Sequence, residues 1–208
     1  MNKEDSVTNL NRKLAAWVAV RTLDRTGRRV LTALGLAVVA ATCAITAGAK
    51  DGGNFLEIRA KDECDPVTFG ATRCFGPETG GVTLQEFTDA IPNGGHEEWK
   101  FRPGVGGTRV NRGGMAQVRS HGGVRHTFTR VAEFGGGFVP GLNAAVGNAP
   151  TVAECQAAQT QPDSDTSVNV TQGSVKQFIV GQGGLFPRGA NRYQCCIHPW
   201  MRATITVR

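Results

Sequence analysis

From Met201 to Val207 apolar and polar residues alternate without a break: Met201, Ala203, Ile205 and Val207 fall on one face, Arg202, Thr204 and Thr206 on the other. Successive side chains of an extended chain point to opposite faces, so this pattern fits a half-buried strand. The same extended character recurs at Trp99–Phe101, Met115–Ser120, His126–Val131, Ser167–Thr171, Val175–Val180 and Arg192–Cys195. Glycine and polar stretches separate these segments, among them Gly135-Gly136-Gly137 and Gln156 to Thr166. After residue 50 only Thr151–Gln159 offers a helical candidate near ten residues. Short strands at turn-punctuated spacing predict an all-β chain, a sandwich or barrel.

Composition excludes some classes. An apolar content of 40% and a modest net charge argue against a disordered chain, and the 28 glycines follow no period of three. The formal charge of +6 suggests nucleic acid at first sight, but its surplus sits at the front. Lys3, Arg12, Lys13, Arg21, Arg25, Arg28 and Arg29 precede residue 50 against Glu4, Asp5 and Asp24. The rest of the chain is nearly balanced, which is no footprint for nucleic acid.

The basic front has its own reading. Arg28-Arg29 leads into an uncharged apolar run from Val30 to Ala49 that ends in the small-residue pattern Ala47-Gly48-Ala49. Residues 1–49 are therefore expected to be a signal peptide or, uncleaved, a membrane anchor. Arg28-Arg29-Val30-Leu31 loosely fits a twin-arginine signal. On either reading the remainder lies outside the cytoplasm, in a periplasmic or other extracytoplasmic space, and any membrane contact is through this segment. Cys43 lacks the upstream Leu of a lipidation site.

Five cysteines follow: Cys64, Cys74, Cys155, Cys195 and Cys196. An oxidising compartment favours disulfides, and an odd number leaves one thiol over. If Cys195 is the one left over, three pairings remain. Cys64 with Cys74 closes a short loop and leaves Cys155 for Cys196, while a Cys155–Cys195 pair stays open as an alternative. In a strand Cys195 and Cys196 face opposite sides.

The segment Cys195-Cys196-Ile197-His198-Pro199-Trp200-Met201 carries the chemistry. Its Cys-x-x-His-x-x-Met spacing gathers a thiolate, an imidazole and a thioether on one loop between two strands. Soft sulfur with imidazole suits copper, and two His, one Cys and a weak axial Met form the blue-copper ligand set. The second His must come from elsewhere. His126 opens an alternating run after the turn Gly122-Gly123, whereas His96 and His121 read as solvated loop residues. Arg119, Arg125 and Arg130 read as a solvated strand face, and Trp200 either shapes the rim of the site or packs in the core.

These residues resemble the cupredoxins, the type 1 blue copper proteins, with a ligand loop most like that of amicyanin and plastocyanin-type members. The likeness rests on Cys195, His198, Pro199, Trp200 and Met201, on the Tyr193-x-Cys195 lead-in, and on Met115 through Phe128 before the first His. It covers roughly residues 97–208. It implies a Greek-key β-sandwich holding one mononuclear copper through His126, Cys195, His198 and Met201. It also implies an electron carrier, not an enzyme, with the His198 edge near the surface, ringed by Pro199 and Trp200, where redox partner proteins dock. Thr127 replaces a usual Asn and is expected to tie the ligand loops through its hydroxyl. Cys196, directly after the ligand, and the long insert from Gly135 to Thr166 depart from the pattern. The resulting division is 1–49, signal or anchor; 50–96, a turn-rich extension that a disulfide can close; and 97–208, the copper-binding domain.

Other classes compete. A copper-storage or copper-delivery protein can share this fold, and so can a metal-free binding module with every cysteine paired or packed. A binuclear copper centre needs two thiolates separated by three residues, whereas Cys195 and Cys196 are adjacent. No His-x-His pair of the kind oxidases use occurs.

Overall fold

Alternation becomes strand along most of the chain in a computed structural model, which describes residues 53–208. The strands are β1 (Gly53–Lys61), β2 (Lys100–Arg102), β3 (Thr108–His121), β4 (His126–Val131), β5 (Ser167–Val170), β6 (Val175–Ile179), β7 (Gly189–Gln194) and β8 (Arg202–Val207). Among the described residues three short α-helices interrupt them, α1 (Pro66–Phe69), α2 (Leu84–Ala90) and α3 (Ala153–Thr160), with 3-10 turns at Ile91–Asn93 and Pro140–Val146. The expected export segment and Cys43 lie outside the described residues. No helix among the described residues is long and apolar enough to cross a membrane.

β3 organises the sheet. Its first residues, Thr108–Val110, pair in parallel with Ile205–Val207 of β8. Its later residues, Met115–Arg119, pair with β6 on one side and, in parallel, with β1 on the other. The two halves meet at Gly113, whose φ of 81° suits glycine. At the adjacent Gly114 a Cβ would stand 2.7 Å from the Asn54 carbonyl oxygen. The bend makes two layers, β2-β1-β3-β6 and β3-β8-β7-β4-β5, joined through β3.

The apolar faces of both layers meet in one core. Ile58 and Val118 come from the first layer and Phe128, Tyr193 and Ile205 from the second, all fully buried. Phe128 stacks on Tyr193 with centroids 4.4 Å apart, and Phe101 of β2 meets it edge-on at 5.2 Å. The Tyr193 hydroxyl is satisfied by donating to the Leu185 carbonyl at 2.8 Å. Met201, Ala203, Ile205 and Val207 are all buried, as their alternation requires.

The segment expected as a turn-rich extension, 50–96, contributes more than turns. β1 lies between β2 and β3 in the sheet, with Leu56, Ile58 and Ala60 inward. Glu57, Arg59 and Lys61 occupy its outer face, and those charges obscure the alternation when the segment is read alone. The same region forms α1, capped by the Asp65 carboxylate, and α2, closed by a Thr83–Glu86 capping box. β3 begins at Thr108, well before the expected Met115, because Gly113-Gly114 break the pattern without ending the strand. The helical candidate at 151–159 forms α3.

Candidate metal centre

β4 and β7 pair antiparallel, with Thr129 opposite Gln194. That register sets His126, at the start of β4, beside Cys195, just past the end of β7. The loop after β7 closes on itself: Cys195 N–H donates to the Met201 carbonyl at 3.0 Å and Met201 N–H to the His198 carbonyl at 2.9 Å. Closure folds His198 back over the Cys195 sulfur.

The Cys195 Sγ lies 3.6 Å from His198 Nδ1 and 3.9 Å from His126 Nδ1. The three donor atoms all lie within 4.8 Å of one another, on buried residues. Donors bound about 2.0–2.3 Å from one shared ion stand roughly 3.4–4.0 Å apart, so the group fits a metal ion. Sulfur with two imidazoles matches copper in its ligand chemistry. Two backbone N–H groups, of Thr127 and His198, donate to the sulfur at 3.4 Å each. Met201 is fully buried at the end of the same loop.

The cysteines divide cleanly. Cys64 pairs with Cys74 and Cys155 with Cys196, leaving Cys195 as the free thiol among the described residues. Cys195 faces the main core, while Cys196 faces a smaller cluster with Cys155 and Ala158. Thr127 does tie the two ligand segments: its Oγ1 accepts from Cys196 N–H at 2.8 Å.

His126, Cys195 and His198 are thus brought together, and the other histidines stay apart. His121 lies 3.7 Å from Glu78, and His96 packs edge-on against Trp99 while its Nδ1 accepts from Glu98 N–H. Arg119 bonds Glu78, and Arg125 bonds Asn169. The expected surface edge of His198 is narrow: the residue is 5% exposed, with Phe87 of α2 packed edge-on against it at 6.1 Å and Trp200 at 5.5 Å. A second feature has no sequence signal at all: the buried Asp62 carboxylate lies 2.7 Å from His126 Nε2.

The metal-free site has coupled charges. Burial opposes a charged His126, but the Asp62 hydrogen bond and then Cys195 outweigh it and raise its pKa from 6.5 to about 9. Burial also opposes a Cys195 thiolate, yet hydrogen bonds from His126 and His198 hold the thiol well below its ordinary 9.0. Burial pushes His198 below 6.5, which leaves it neutral with a lone pair to offer.

These shifts fix a pH profile for the metal-free protein. The raised His126 adds stability that is complete below pH 6.5 and lost as pH rises through about 9. The depressed Cys195 adds stability that is complete above pH 9.0 and lost as pH falls through its folded value. Between these limits the slopes cancel, since the folded pair holds one proton on imidazole and the unfolded pair one on sulfur. Below about 6.5 the unfolded chain takes up further protons, at His198 as well, and stability falls. Urea denaturation at about pH 5.5, 7.5 and 8.5 checks this. A steady slope of about 1.4 kcal/mol per pH unit across the upper window would mean that only one of the pair titrates.

No family model matches the chain, and no curated protein matches it. Solved structures do. A purple cupredoxin from Nitrosopumilus maritimus is similar at 12% identity and a TM-score of 0.38, over 74% of this chain and 99% of that one. Reduced auracyanin from Roseiflexus castenholzii is similar at 11% identity and a TM-score of 0.32, over 76% of this chain and 99% of that one. A copper-containing nitrite reductase from Thermus scotoductus SA-01 is similar at 14% identity and a TM-score of 0.31, over 52% of this chain and 20% of that one. The likeness is to cupredoxins among others, at TM-scores that leave fold and site to rest on this chain's own strands and donors.

Proposed function

We propose that this chain is an exported copper protein that carries single electrons, with one copper that His126, Cys195, His198 and Met201 would hold. The observation that carries the reading is the buried, unpaired Cys195 sulfur flanked by the Nδ1 atoms of two buried histidines. Copper bound there supplies a one-electron Cu(I)/Cu(II) couple.

The chain's own residues do the rest. The N–H groups of Thr127 and His198 offset charge on the sulfur and hold it in place. The Cys155–Cys196 disulfide and the Thr127 hydroxyl fix the loop from the other side, so the donors keep one arrangement. Phe87 and Trp200 wall the His198 ring from water. A redox partner docking near His198 meets this aromatic wall first. The two disulfides suit an oxidising, extracytoplasmic compartment.

Titration of the purified, oxidised chain with Cu(II) tests the reading. The expected result is an intense visible thiolate-to-copper band that saturates at one equivalent and bleaches with ascorbate. Absence of the band, with Cys195 titrating as a free thiol, overturns it.

A further inference from the structure

The Asp62 carboxylate is fully buried, 64 residues away in sequence from the histidine it touches. β1 carries it there. The parallel pairing of β1 with β3 ends at Lys61 opposite His121, so the next residue falls beside the Gly122-Gly123 turn that leads into β4. Asp62 N–H donates to the His121 carbonyl at 3.1 Å. Its Oδ1 accepts from Gly123 N–H at 2.8 Å, and its Oδ2 accepts from Val124 N–H at 3.3 Å and lies 2.7 Å from His126 Nε2. The turn is shaped around the carboxylate: a Cβ at Gly122 would meet Asp62 Oδ2 at 2.1 Å. A Cβ at Gly123 would meet Cys64 Sγ at 2.7 Å, so the Cys64–Cys74 disulfide backs the same turn.

We propose that Asp62 is a positioning residue of the metal centre, one that holds His126 as the Nε2–H tautomer with Nδ1 turned to the Cys195 sulfur and sets a negative charge beside that ligand. The first half rests on the hydrogen-bond inventory. Gly123 and Val124 supply only N–H donors, and a carboxylate can accept from both and from Nε2–H together. A histidine whose Nε2 is committed as a donor has Nδ1 left as the ligating atom. The second half rests on the copper reading above: a negative charge next to a ligand favours the more positive metal state. An amide at this position cannot serve all three donors. If its oxygen faces Gly123, its NH₂ faces His126 Nε2 and drives the proton to Nδ1.

Two measurements on the full chain separate the halves. The first needs no metal: nitrogen NMR of the His126 ring, followed to alkaline pH until the spectrum shows the neutral ring. Wild type is expected to show the Nε2–H form, and Asp62→Ala a mixture or the Nδ1–H form. An Nδ1–H wild type, or a tautomer unchanged by the substitution, overturns the positioning role whatever the metal. The second is the reduction potential of copper-loaded Asp62→Asn, in which copper on Nδ1 keeps the proton on Nε2 and turns the amide oxygen toward it, so that the charge is removed with the ligand in place. This variant also preserves shape where the Ala variant does not fold. A rise equal to at least a tenfold shift in the Cu(II)/Cu(I) affinity ratio is expected, about 59 mV for one electron. An unchanged potential overturns the electrostatic half. A wild-type chain with the Nε2–H tautomer but no copper band supports Asp62 as the positioner of His126 and counts against the copper reading alone.

Discussion

Cys195→Ser is expected to remove the visible band proposed for the Cu(II)-loaded protein completely and to weaken Cu(II) binding by more than about 100-fold, beyond the loss typical of outer-shell changes. A serine hydroxyl stays protonated where the Cys195 thiol is driven toward thiolate by two histidines. It offers a hard neutral oxygen in place of soft anionic sulfur, so both the charge-transfer transition and the affinity disappear. The fold should survive. Serine is close in size, the two N–H groups aimed at Sγ find an oxygen acceptor instead, and neither disulfide involves residue 195. Visible absorption and a competitive chelator titration read the effect, with urea denaturation as the folding control. A variant that keeps the band places the chromophore elsewhere and sinks the ligand assignment.

Phe128→Ala carries the largest expected stability cost, about 3–5 kcal/mol. The ring is fully buried between Tyr193 of β7, Phe101 of β2 and Phe186 of the β6–β7 loop. Strands held by their hydrogen-bond ladders cannot all move in to fill the space. A chain of this size typically has ~5–15 kcal/mol of stability in total, so thermal unfolding should drop by roughly 10 °C or more. Calorimetry on the metal-free protein gives the number. A loss under about 1.5 kcal/mol would mean that the neighbouring rings collapse into the gap. His126 lies two residues before Phe128 on the same face of β4, so the substitution is also expected to loosen this proposed ligand.

Most of the β-structure was legible because a strand writes its buried face into the chain as alternation. The segments at 126–131, 167–171, 175–180 and 201–207 appear as β4, β5, β6 and β8. β1 escaped because Glu57, Arg59 and Lys61 put charge at every second position, and a charged outer face beside a short apolar one resembles loop. β3 was cut short because Gly113-Gly114 mimic a turn where the strand only bends. Parity and loop length favoured Cys64–Cys74 with Cys155–Cys196 but left Cys155–Cys195 open, and the structure pairs Cys155 with Cys196.

The sequence by itself determined that Cys195, His198 and Met201 share one short loop between strands, because three-residue spacing leaves a tight loop no room to separate them. Tertiary structure alone decided the rest of the centre. His126 reaches Cys195 across 69 residues through the β4–β7 register. Asp62 reaches His126 across 64 through the parallel β1–β3 pairing. Phe87, from a helix in the stretch read as extension, packs edge-on against His198, which stays 5% exposed. Sequence spacing constrains neighbours within a turn or two of chain. Contacts between distant strands depend on which edges pair and in what register, and that is settled only when both layers bury their apolar faces together.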